Sequence, residues 1–250
     1  MLKAVLFDLD NTMILFDETS FYQGYIRRLG KLFADIMSAD QFLERLIGAT
    51  RSLSQNAGQE TNKEYFQRVF SRGYENRSTD FWDRFLYFYE FEYDKIEADF
   101  SLPDGLHETM ERIVHTGVKL VLASNPVFPR NAQLKRFAWT GLDHLSFDLV
   151  THMENMSFCK PRLEYYLGIC KMIDELPEDC LMVGNDPVND MVAALAGMKT
   201  FLTDDRKFVH NPKRDRTAML KSLGLENIPP PDFTGPFARI PAAVQELVLS

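Results

Sequence analysis

A chain of 250 residues, 45% hydrophobic and 26% charged, can hold one substantial core with an insertion, or two small domains. Its 28 basic and 36 acidic residues leave a formal charge of −8, and no dense basic run appears, which argues against nucleic acid as a partner. No apolar run reaches the ~18 residues of a membrane span, and three cysteines (Cys159, Cys170, Cys180) without CxxC spacing argue against a disulfide framework or a zinc site.

The first apolar run, AVLFDL at 4–9, reads as a strand buried on both faces, as in a parallel sheet. Asp8 and Asp10 break it too early for a signal peptide, so a cytoplasmic, reducing setting is expected. Residues 17–98 contain no convincing strand. Phe21, Tyr25, Leu29 and Phe33 follow helical spacing. SADQ at 38–41 and TNKE at 61–64 are capping boxes that open helices. The aromatic-rich stretch 78–93 predicts a further helix, with Phe81, Trp82, Phe85, Leu86, Phe88 and Tyr89 as its core-facing band.

Beyond residue 98 the pattern alternates. A helix is expected from Leu106 to the stop at Gly117. Strands are expected at 118–124, 147–153, 180–185 and 198–203, with a helix after Asp190. Residues 228–233 read as a loop before a final helix at 241–249, and the basic stretch 211–216 reads as a solvated loop. Strand, helix, strand in this order predicts an α/β fold with right-handed crossovers, interrupted by one all-helical segment after the first strand.

The chemistry gathers at the strand ends. Asp8 and Asp10, two apart, project from one side of the first strand, where two carboxylates repel unless a cation sits near them. The second strand ends in Ser124 and Asn125, Lys160 precedes Pro161, and Asp186 and Asp190 follow VGN at the fourth strand. Ligands of open parallel sheets bind beyond the carboxyl ends of the strands. Hard oxygen donors there suit Mg²⁺, and a lysine with a hydroxyl beside it suits a phosphoryl group.

These residues resemble the haloacid dehalogenase superfamily: DxDx[TV] as Asp8-Leu9-Asp10-Asn11-Thr12, then Ser124, Lys160, and the pair Asp186 and Asp190. The resemblance implies a Rossmann-like parallel-sheet core at 1–16 and 99–250, with an all-helical cap domain at 17–98. It implies Asp8 as nucleophile, Asp10 as general acid and base, and Lys160 as the neutralising cation. Ser124, Asn125 and Thr12 would line the phosphoryl site, Thr12 mainly by bracing the turn. Asp8, the main-chain carbonyl of Asp10, and Asp186 would hold Mg²⁺, with Asp190 behind them orienting its neighbours. The implied activity is a Mg²⁺-dependent phosphatase for a small phosphorylated metabolite, working through an aspartyl-phosphate, as a monomer or homodimer. The rivals are a phosphomutase of the same superfamily, a 2-haloacid dehalogenase (disfavoured by Asp10), and a non-catalytic binding protein on this fold.

Two departures from the family pattern are visible. Asn185 stands where many relatives carry glycine, a position Asn can fill through left-handed backbone, and Leu163 stands where many carry proline. Cys159 beside Lys160 invites a low thiol pKa, but burial is the plainer expectation. Arg27, Arg28, Arg51 and the five histidines are read as carrying no chemistry.

Overall fold

The first strand of the computed structural model, β1 (Ala4–Phe7), is wholly buried, and that follows from an apolar residue at every position. The structure describes residues 1–96, 99–206 and 216–249. Around β1 stand β4 (Lys119–Leu122), β5 (Leu149–Val150), β6 (Cys180–Gly184), β7 (Lys199–Thr203) and β8 (Phe233–Gly235), in spatial order β5-β4-β1-β6-β7-β8. All neighbours pair in parallel.

Period-two alternation divides the core between the faces. Val5, Phe7, Leu120, Leu122, Leu181 and Val183 face one side, against α5 (Leu106–Val114) and α9 (Ile240–Leu249). Leu6, Val121 and Met182 face the other, with Tyr165, Ile169 and Ile173 of α7 (Leu163–Ile173). The strand predicted at 147–153 is only two residues long. The helix predicted after Asp190 is a tighter 3₁₀ segment, Met191–Ala196. The loop expected at 228–233 is found as far as Asp232, and an unpredicted short strand, β8, begins at Phe233.

The chain leaves the sheet through β2 (Leu15–Phe16) and returns through β3 (Phe100–Ser101), which pair antiparallel and so close the ends of the helical segment together. Between them, among the described residues, lie α1 (Glu18–Lys31), α2 (Ala39–Ser52), α3 (Asn62–Phe70) and α4 (Ser78–Tyr87), with short 3₁₀ turns and no strand. Both capping boxes form. Ser38 with Gln41, and Thr61 with Glu64, each satisfy two orphan backbone groups, a contribution of about 1 kcal/mol per cap. The helix predicted at 78–93 relaxes into a π-turn at Phe88–Glu92. That register keeps Phe88, Tyr89 and Tyr93 buried, while Leu86 points outward.

Phe33, Phe42, Phe70, Phe81 and Phe85 pack with ring centroids 5.0–6.1 Å apart. The apolar cluster runs on without a break into the α/β core through Tyr25 and Phe128. Polar ties fix the same junction. Asn62 N donates to Met156 O (2.8 Å) and Lys63 N to Met153 O (2.9 Å), pinning the start of α3 to the loop that carries Lys160. No helix among the described residues is long and apolar enough to cross a membrane.

Candidate active site

β1 is hydrogen-bonded on both sides, so the residue after it is held rigidly: Asp8 N donates to Val183 O at 2.9 Å. The chain then reverses. Leu9 O accepts from the amides of Thr12, Met13 and Ile14, and Asn11 takes a left-handed conformation at φ 58°. A short polar side chain tolerates that region, and here it is used twice more. Asn11 Oδ1 accepts from Phe16 N (3.2 Å), and Nδ2 donates to Glu18 (2.9 Å), tying the turn to the exit strand and α1.

Lys160 is 1% exposed and lies between two carboxylates, with Nζ 2.7 Å from Asp8 Oδ1 and 2.6 Å from Asp190 Oδ1. Burial disfavours the ammonium, but two anions at contact outweigh it and hold Lys160 protonated well above the usual lysine range. Burial pushes the Asp190 carboxyl upward, with Lys160 opposing. Asp190 Oδ2 accepts from Asp186 N (2.9 Å). Asp186 Oδ1 accepts from the amides of Val188 (2.9 Å) and Asn189 (3.1 Å). Arg216 approaches both Asp186 oxygens at 2.8 Å. Arg216 therefore departs from the solvated loop expected at 211–216, whose other residues, like His210, lie outside the described residues.

The remaining predicted residues fall at the same edge. Thr12 Oγ1 is 3.3 Å from both Asp8 Oδ2 and Asn185 Oδ1, bridging the first and fourth motifs. Asn125 Oδ1 accepts from Lys160 N (3.2 Å), so this amide braces the lysine loop. Ser124 is buried, and its carbonyl is fixed by Thr151 Oγ1 (2.7 Å) and Tyr165 OH (2.9 Å). Cys159 is buried and its thiol pushed up to about 12 by burial, which removes it as a reactive thiol.

Asn185 is not left-handed, which corrects the rationale for its tolerance; among the described residues Asn11 and Asp174 are the non-glycine positions with positive φ. The critical glycine is Gly184. A Cβ there would stand 2.2 Å from Asp190 Oδ2. Gly184→Ala should therefore destabilise the protein by roughly 1–3 kcal/mol and push Asp190 off Lys160. Thermal denaturation checks this, and an unchanged melting temperature would mean that Asp190 does not sit against this strand end.

Arg136 was missed by sequence reasoning. It lies on α6 (Arg130–Ala138), is 1% exposed, and pairs through its guanidinium with Asp10 Oδ1, whose side chain is 27% exposed. The signal was faint: Ala132, Gln133, Arg136 and Phe137 form the buried stripe of α6, with two polar residues where apolar ones are the rule. Four carboxylates (Asp8, Asp10, Asp186, Asp190) thus meet three cations (Lys160, Arg136, Arg216). Among the described residues no three His, Cys, Asp or Glu side chains are grouped to hold a metal. The donors that are present fit Mg²⁺ rather than a softer ion. Two carboxylates, Asp8 and Asp186, with one main-chain carbonyl are a hard, sparse set, and Mg²⁺ keeps several waters. Arg216 on Asp186 shows that this corner accepts positive charge.

An open parallel sheet whose carboxyl edge gathers paired aspartates and a buried lysine defines an α/β protein with a ligand site beyond its strand ends. The chain belongs to the haloacid dehalogenase-like hydrolases, whose family model matches residues 2–197. No curated protein matches. Among solved structures the chain is similar to a 2-haloacid dehalogenase from Pseudomonas syringae pv. tomato DC3000 (17% identity, 98% of this chain and 99% of that one, TM-score 0.61). It is also similar to a protein from Haemophilus somnus 129PT described as a predicted phosphoglycolate phosphatase (19%, 98% of each chain, TM-score 0.56). A third is a HAD hydrolase from Bacillus subtilis bound to magnesium (18%, 97% and 98%, TM-score 0.53). At these identities the likeness is one of fold.

Proposed function

We propose that this hydrolase is a Mg²⁺-dependent phosphatase that cleaves a small phosphorylated metabolite through an aspartyl-phosphate, with the helical segment 17–98 as its cap. The observation that carries this reading is the separation of the two aspartates. Asp8 is held by Lys160, while the more exposed Asp10 has a cation of its own in Arg136. Two carboxylates with different partners can take different roles.

Asp8 attacks the phosphorus, and the bond from phosphorus to the ester oxygen breaks. Asp10 gives its proton to that oxygen as the alcohol leaves. Asp10, now a carboxylate, takes a proton from water. The hydroxide oxygen bonds to phosphorus, the acyl–phosphate bond breaks, and phosphate departs, leaving Asp8 as a carboxylate. Lys160 offsets the charge on Asp8 and on the phosphoryl oxygens throughout. Bound Mg²⁺, held by Asp8, Asp186 and the carbonyl of Asp10, would supply further neutralisation and orient the phosphoryl group. A dehalogenase would attack carbon and has no leaving alcohol for Asp10 to protonate, so Asp10 favours the phosphatase.

The test is hydrolysis of p-nitrophenyl phosphate by the purified chain. Activity is expected with Mg²⁺, is lost in EDTA, and returns when Mg²⁺ is restored. Hydrolysis that persists in EDTA would overturn the metal requirement. Release of halide from a 2-haloacid, with no phosphate ester cleaved, would overturn the reaction class.

A further inference from the structure

The stripe of α6 that faces the core is apolar at Ala132 and Phe137, yet a guanidinium is buried there. Burying a cation with one carboxylate partner costs more than an apolar side chain of the same size would. A role in packing alone therefore explains Arg136 poorly.

The guanidinium is oriented independently of Asp10. Its NH1 donates to Gln133 Oε1 at 3.1 Å, and Gln133 is itself fully buried and anchored by its amide to Thr151 O at 3.3 Å. The ring of Phe128 lies 4.7 Å from the guanidinium carbon, in cation–π contact. Phe128 in turn packs edge-on against Tyr25 and Tyr89 of the helical segment. Asp10 is the less buried partner, on the turn that follows β1 and with its side chain 27% exposed. Burial lowers Arg136 to about 9, which leaves it charged at neutral pH.

We infer that Arg136 is a positioning residue: a guanidinium fixed by Gln133 and Phe128 aims the Asp10 carboxyl group toward the leaving group. This rests on the phosphatase reading, because it is the departing oxygen that Asp10 must meet. Fork geometry matters here. A guanidinium presents several donors in a fixed plane, whereas an ammonium is a point charge.

The experiment compares two esters with wild type, Arg136→Met and Arg136→Lys. An alkyl phosphate leaves as a basic alkoxide and needs the proton from Asp10; p-nitrophenyl phosphate leaves as a stable phenolate and needs it far less. With Arg136→Met, the single-turnover rate of alcohol release from the alkyl ester should fall by on the order of 10²-fold or more, with KM little changed, and the loss in phenolate release from the aryl ester should be about tenfold or more smaller; the later hydrolysis of the aspartyl-phosphate, where Asp10 acts as base, is common to both. Arg136→Lys should lie between wild type and Arg136→Met on the alkyl ester, and it carries the comparison if Arg136→Met does not fold. Equal losses in the single-turnover release step on both esters, or a risen KM at constant kcat, would overturn the assignment in favour of packing or of a substrate contact. A crystal structure of a folded variant with Asp10 in its original orientation would overturn it too. Failure of the wild-type chain to cleave either ester is a different result: it removes the phosphatase reading, and the role of Arg136 falls with it.

Discussion

Asp8→Asn should reduce phosphate-ester hydrolysis by on the order of 10⁴-fold or more, to the level of contaminating activity. The size of the effect follows from the chemistry, since an amide is too poor a nucleophile to form the phosphoryl anhydride. The fold should survive the change. Asn is nearly isosteric with Asp, its carbonyl oxygen can take the place of Asp8 Oδ1 beside Lys160, and Thr12 can still reach the amide. Lys160 keeps a counter-charge in Asp190. The melting temperature should therefore fall far less than the activity, which separates a missing nucleophile from a collapsed site. Steady-state hydrolysis of p-nitrophenyl phosphate in Mg²⁺ gives the first number and thermal denaturation the second. Acid quenching of wild type during turnover, followed by mass spectrometry, should reveal a phosphorylated peptide containing Asp8. Substantial turnover by clean Asp8→Asn would move the nucleophile elsewhere.

The strand ends were legible in the sequence because a buried parallel strand is a continuous apolar run, and a charge at its end is a sharp local break. AVLF and CLMVG carry that signature, ended by Asp8 and by Asn185 and Asp186, while KLVL ends in the uncharged polar pair Ser124 and Asn125. The helix starts at Ser38 and Thr61 were legible for a similar reason, since the capping box is a four-residue signal complete within itself. What was missed depends on distant partners. β8 is three residues long and becomes a strand by pairing with β7. Asp232 fixes its register by accepting from Thr200 N at 3.0 Å, and no local pattern encodes that. The segment Met191–Ala196 has helical composition but winds tightly behind Asp190, whose carboxylate is bound at once by Lys160 and by Asp186 N. Arg136 and Arg216 join the site from an α6 stripe and from a position some 30 residues beyond Asp186; neither belongs to a motif. The four sequence motifs thus supplied the carboxylates and the lysine, while the two arginines that balance them are a product of tertiary packing.

That balance sets the cost of losing Lys160. Its ammonium is the contact cation of both Asp8 and Asp190 and is 1% exposed. In Lys160→Met the two carboxylates would face each other across an apolar side chain, buried and without the cation. Removing one partner of a buried ion pair costs about 3–5 kcal/mol. At 2–4 °C per kcal/mol for a chain of this size, that is a fall in melting temperature of roughly 6–20 °C. The measurement belongs in EDTA, where no divalent cation can stand in for the ammonium. Activity should be lost as well, at temperatures where the variant is still folded, because the charge on Asp8 and the phosphoryl group would go unmatched. The double variant Lys160→Met/Asp190→Asn discriminates the cause. If the damage is the uncompensated negative charge, removing the Asp190 charge should recover a large part of the stability and none of the activity. If the damage is a packing defect around the substituted side chain, the second substitution should bring no recovery, because Asn has the same volume as Asp. A melting temperature that does not move in the single variant would mean that the ammonium is not sandwiched between these two carboxylates in solution, and the charge separation that assigns Asp8 and Asp10 different roles would lose its foundation.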